Sequence, residues 1–151
     1  MTSKYTPEEQ AQNRAKWTAA LRSGDYQQGR GELRSTEGET EQFCCLGVAC
    51  EIAAKEGVTE REGGGYAAGL DGQEYVTGSC LPPAVADWLG ITQWGDLVEE
   101  IAAEGHENPY SGVVGLNDGA EWTFEQIAEL VDAGKLLLAA DDKPADRGVE
   151  W

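Results

Sequence analysis

The sequence predicts a single α+β domain in which about four helices pack on a short, irregular sheet. Three observations predict it. Capping signals open amphipathic stretches at well-separated places, and short strand-like runs lie between glycine-rich turns. No linker or internal repeat divides the 151 residues, a length that one hydrophobic core can serve. Apolar residues make up 40% of the chain, an ordinary share for a globular protein, which excludes wholesale disorder.

Thr6-Pro7-Glu8-Glu9 supplies a capping Thr, a Pro in the first turn and a Glu three residues after the cap, which together start a helix. That helix is expected to run to about Ser23, with residues 10, 13, 14, 17, 20 and 21 on one face and Gly24 at its end. Residues 26–34 read as a short strand, and 35–40 as a polar loop with Gly38 at its tip. In a second helix over 45–56, Cys45, Val48, Ala49 and Ile52 fall at i, i+3, i+4 and i+7, a buried stripe. The glycine-rich 59–79 region is expected to be a mobile loop whose one strand nucleus is Tyr75-Val76. Its three glycines at 63–65 lack the following helix with Lys and Ser or Thr that a phosphate loop requires. Residues 81–90 form a short helix opened by proline and closed by Gly90. Residues 96–103 fit the helix and strand periods equally poorly. A loop over 105–112 leads to a short strand at 113–116 and a turn at Asn117-Asp118-Gly119. Thr123-Phe124-Glu125-Gln126 is a second capping box, opening a helix that Gly134 ends. The globular domain is expected to span 1–140, and 141–151 to be a frayed tail.

Eleven Lys and Arg stand against twenty-eight Asp and Glu, a net charge of −17. The imbalance is uneven. Residues 62–134 hold fourteen carboxylates, the single His106 and no Lys or Arg. Such a field repels phosphate backbones and anionic membranes and attracts basic protein surfaces. Direct nucleic-acid binding and membrane association are therefore disfavoured. No stretch approaches the roughly 20 apolar residues of a membrane-spanning helix, and the N-terminus has no signal-peptide core. Cytosolic residence follows, with Cys44, Cys45, Cys50 and Cys80 reduced. No C-x-x-C pair exists, so neither a zinc site nor any other cofactor is expected.

The ordered set Trp17…Leu21-x-Ser23-Gly24-x-Tyr26-x-Gln28, Phe43-Cys44-Cys45-Leu46-Gly47-Val48, Leu81-Pro82-x-x-Val85-x-x-Trp88-Leu89-Gly90 and Leu116-Asn117-Asp118 resembles a family of small uncharacterised phage and prophage proteins marked by a CCLGV motif. The resemblance covers residues 13 to about 134, skipping 57–79 and 92–112. It implies a phage setting, in which small cytosolic accessory proteins act on host machinery or host defence. It implies no activity, and His106 is outside its pattern.

Four sets of residues could carry chemistry. A cysteine hydrolase would use Cys44 or Cys45 at a helix start, His106 as base and Asn117 or Asp118 to orient the imidazole, the chain order of papain-like peptidases. Against this, Cys45 lies in the apolar stripe, whereas Cys44 falls just outside it and is the better exposed thiol. Glu99, Glu100, Glu104 and Glu107 are the candidate partner-binding carboxylates. No D-x-D-x-D-G loop turns the acids into a metal site. Arg14, Arg22, Tyr26, Gln28 and Arg30, from the basic end of the chain, could form a pocket for a small signalling nucleotide, sequestered or cleaved. The favoured expectation is a non-enzymatic binder or inhibitor of a basic host protein, such as one that binds nucleic acid or acts in defence. Oligomeric state is not legible.

Overall fold

The computed structural model describes residues 5–62, 65–67, 76, 77, 80–102, 105, 107 and 109–139. Helix α1 (Pro7–Ser23) begins as its sequence dictates. Thr6 Oγ1 accepts the Glu9 N–H at 3.1 Å, Glu9 Oε1 accepts the Thr6 N–H at 2.9 Å, and Gly24 ends the helix in the left-handed region. Its inner face is partly polar, and each polar group there has a use. Gln10, Asn13 and Arg14 donate to the carbonyls of Asp87, Trp88 and Leu89 at 2.8, 2.9 and 2.6 Å. Those carbonyls lie in the last turn of helix α3 (Pro83–Leu89), where a helix runs out of its own amide donors, and that of Asp87 also accepts the capping Gly90 N–H at 3.2 Å. One turn further on, Trp17 Nε1 donates to the Cys45 carbonyl at 2.8 Å.

Strands β1 (Arg34–Glu37) and β2 (Thr40–Phe43) form a hairpin with Arg34 opposite Phe43 and Glu37 opposite Thr40. The segment expected to be a polar loop is thus mostly strand. Its alternation of small and charged residues conceals the pairing, and Gly38 at φ 63° takes the first place of a two-residue turn. The expected strand over 26–34 shrinks to a parallel bridge at Gln28, where Phe43 donates to the Gln27 carbonyl and accepts from Gly29.

Helix α2 (Cys45–Lys55) lies at the centre, packed on α1, α3, β2 and helix α4 (Val113–Asp118). Eight of its eleven residues are buried. Gly47 is what lets it sit so deep: a Cβ there would lie 1.7 Å from the Leu33 carbonyl oxygen. Beyond α2, strands β3 (Arg61–Glu62), β4 (Gly65–Ala67) and β5 (Val76–Thr77) form a small antiparallel sheet within the glycine-rich region. Tyr66 on β4 is fully buried, so this region contributes to the core.

Strand β6 (Asp96–Ile101) resolves the ambiguous 96–103 stretch and pairs with β7 (Tyr110–Gly112), drawing part of the expected 105–112 loop into the ladder. On its other side the Val98 amide donates to the Lys135 carbonyl, and the Leu137 amide to that of Asp96. The expected strand at 113–116 is instead α4. Two adjacent valines favour extended backbone locally, but Gly115 allows the Tyr110 ring to lie where a Cβ would be 2.6 Å from its Cδ1. Tertiary packing decides the conformation. Helix α5 (Phe124–Asp132) opens with the Thr123–Gln126 capping box and buries Phe124, Ile127, Ala128, Leu130 and Val131. The chain is a mixed α+β domain, with three separate antiparallel ribbons among the described residues in place of one sheet.

Candidate functional site

Cys44 caps the N-terminus of α2, its Sγ accepting the Gly47 N–H at 3.4 Å. A helix start ordinarily favours thiolate. Here removal from water wins: Cys44 is 3% exposed, and burial pushes its thiol up to about 11, against smaller downward pulls from the amides of Gly47 and Leu46. The expectation that Cys44 is the exposed thiol is therefore corrected, because the cap residue belongs to the buried core and the stripe widens to include it. Cys45 is fully buried, its thiol also raised by burial, with the Val113 carbonyl 3.8 Å from Sγ. His106 lies outside the described residues.

Asn117, fully buried, is a connector. Its Oδ1 accepts from Gln28 Nε2 at 2.7 Å, and its Nδ2 donates to the Gly29 carbonyl at 3.0 Å and to Asp118 Oδ1 at 2.8 Å. Gln28 also donates to the Trp122 carbonyl, and Arg30 Nε to the Asn117 carbonyl at 3.1 Å. With every side-chain atom engaged, Asn117 ties the 27–30 segment to α4 and orients no imidazole among the described residues.

The five candidate ligand residues divide among four places. Gln28 and Arg30 belong to the Asn117 knot. Tyr26 accepts from Lys55 Nζ at 3.0 Å and packs edge-on against Phe43. Arg22 bridges to α5, 2.6 Å from Asp132 and 3.7 Å from Glu125, while Arg14 caps α3. They do not converge on one ligand.

Sequence reasoning missed a second polar cluster. Glu51, in the middle of apolar α2 and 8% exposed, receives Arg61 Nε and Nη2 at 2.8 and 2.7 Å and the Tyr66 hydroxyl at 2.6 Å. Arg61 reaches Glu41 with its remaining N–H groups at 3.0 and 3.1 Å, and the Arg34 guanidinium lies 5.5 Å over the Tyr66 ring. Burial alone would raise the Glu51 carboxyl; the bonds from Arg61 and Tyr66 outweigh it and hold the group below its ordinary range. The signal available was one carboxylate among apolar neighbours, followed ten residues later by the last arginine before a long acidic stretch. This cluster clamps β3 and β4 onto α2.

On the exterior, Glu99 and Glu100 on β6 and Glu107 beyond it are exposed; Glu104 lies outside the described residues. Glu99 and Glu100 form no ion pair among the described residues. Beside them are the two large apolar side chains most open to water among the described residues, Trp94 at 50% and Val98 at 51% exposure. No helix among the described residues is long and apolar enough to cross a membrane.

These features define a small α+β protein in which Cys44, Cys45, Cys50 and the polar connectors serve the interior, while Glu99 and Glu100 are exposed without an ion pair among the described residues. Residues 10–135 match the family described as Domain of unknown function (DUF8296), and the chain belongs to that family. No curated protein and no solved structure matches it.

Proposed function

We propose that the protein is a non-enzymatic, acidic binding protein that occupies a basic surface on another protein, with the β6 face as its contact. The observation that carries this reading is the coincidence of Trp94, Val98, Glu99 and Glu100 on and beside one strand. Exposed aromatic and aliphatic groups give a contact its apolar anchor, and unpaired carboxylates choose a cationic partner and speed its arrival. Support also comes from the fourteen acids without a base across 62–134. Cys44, Cys45 and Cys50 are buried, which favours binding over cysteine hydrolysis. The CCLGV-type pattern adds the proposal of a phage accessory protein acting on a host protein in the cytosol, where four free cysteines are in keeping.

The test is capture from bacterial lysate at low salt with the wild-type chain and with the Glu99→Lys/Glu100→Lys double variant. A partner recovered by the wild type, released by raised salt as charge-driven contacts are and lost by the variant, is the expected result. No recovery at low salt, or equal recovery by both chains, contradicts the proposal.

A further inference from the structure

A cleft of about 300 Å³ opens between α1, the end of α5 and residues 136–138, lined among others by Arg14, Ala15, Val131, Asp132, Leu136 and Leu138. Leu136, on one of its walls, bridges Leu97 of β6. We infer that it binds a small monocarboxylate with an apolar body, the carboxylate pairing with Arg14 and the hydrocarbon lying on Val131, Leu136 and Leu138.

The charge pattern singles out Arg14. Arg22, Arg34 and Arg61 each come within 4.0 Å of a carboxylate. Arg14, among the described residues, bonds only the Leu89 carbonyl, through Nη1, and a guanidinium has five N–H donors. Arg30 also meets only a carbonyl, but Arg30 is exposed and water serves it. Arg14 is half-buried, and the loss of water lowers its pKa. A desolvated guanidinium facing a cavity without a counterion is where an arriving carboxylate gains most, as a charge-assisted and potentially bidentate partner.

The walls set the rest of the ligand. Val131, Leu136 and Leu138 offer apolar surface, and the volume is at the low end of the roughly 300–1,000 Å³ typical of ligand pockets, so the body is short. Asp132 stands on the same cleft with its carboxylate held by Arg22 at 2.6 Å. A doubly charged phosphate ester would face that carboxylate; a singly charged acid does so less. Among the described residues no aromatic side chain lines the cleft to stack a base, which separates this ligand from a nucleotide.

The experiment is a titration of the full chain, followed by NMR, with hexanoate, hexanamide and inorganic phosphate. Hexanoate is expected to bind saturably, with hexanamide at least about tenfold weaker, the factor expected from losing one charge-assisted bond. Arg14→Gln is expected to lose hexanoate by a similar factor. Should that variant unfold through loss of its bond to Leu89, Ala15→Leu decides, because it fills the cleft from an exposed helical position and leaves that bond intact. It is expected to keep the wild-type Tm and abolish binding. Absence of saturable hexanoate binding, equal binding of hexanamide, preference for phosphate, or undiminished binding by Ala15→Leu would each overturn the assignment.

Discussion

Helix α2 and strand β6 invert each other. Every residue of α2 up to Glu51 is buried, its thiols are raised by loss of water, and its one carboxylate is held by three donor groups from Arg61 and Tyr66. On β6 only Leu97 is buried, while Val98, Glu99 and Glu100 stand in water. Cysteine at a helix start and glutamate in a row look like chemistry in both places. The difference is compensation: where each polar group already has a partner, the residue builds the fold, and where none is present, it remains available to another molecule.

The sharpest way to break this contrast is at Gly47. Gly47→Ala places a Cβ 1.7 Å from the Leu33 carbonyl oxygen, and since two backbones cannot both yield, a loss of about 3 kcal/mol is expected in denaturant unfolding. A loss under ~1 kcal/mol would mean that α2 is free to move off the 33–34 segment.

Next in size is Glu51→Gln, with an expected cost of about 2 kcal/mol, because the buried carboxylate loses its charge-assisted bonds from Arg61 and Tyr66. Its pH dependence follows from the lowered carboxyl. The folded value lies below the ordinary 4.5, so the stabilisation is fully present above pH 4.5 and is lost as pH falls through the folded value. Wild-type and variant unfolding free energies are therefore expected to converge in acid and to differ by a constant amount from pH 5 to 7. Convergence on raising the pH would contradict the assignment.

Cys45→Ser and Cys44→Ser divide the cysteine pair. Cys45→Ser buries a hydroxyl in the apolar stripe and is expected to cost about 1.5 kcal/mol. Cys44→Ser installs a preferred capping oxygen where a weak sulfur acceptor stood, and is expected to change stability by less than ~0.5 kcal/mol. The smallest effect belongs to β6: Glu99→Lys/Glu100→Lys is expected to shift stability by no more than about 0.5 kcal/mol. A larger loss would show these carboxylates to be part of the fold.

Legibility followed the range of the forces. Helices set by caps and stripes (α1, α2, α3 and α5) were readable, because Thr6, Glu9, Gly24, Thr123 and Gln126 act within a few residues of one another. Strand β1 and helix α4 were not. Arg34–Glu37 is strand only because Thr40–Phe43 lies beside it, and Val113–Asp118 is helical only because Tyr110 covers Gly115. The site divided in the same way. The exposed pair Glu99 and Glu100 could be read from charge alone. The roles of Asn117, Gln28, Arg14 and Glu51 depend on partners 89, 75 and 10 positions away, and a pattern of spacings does not contain them.

The most direct measurement is alkylation of the native chain at neutral pH, followed cysteine by cysteine by mass spectrometry across a denaturant series. Cys44, Cys45 and Cys50 are expected to stay unlabelled until the whole domain unfolds, and then to react together along the global transition. Immediate labelling of native Cys44 or Cys45, at a rate showing thiolate below pH 8, would contradict the assignment of this segment to the interior.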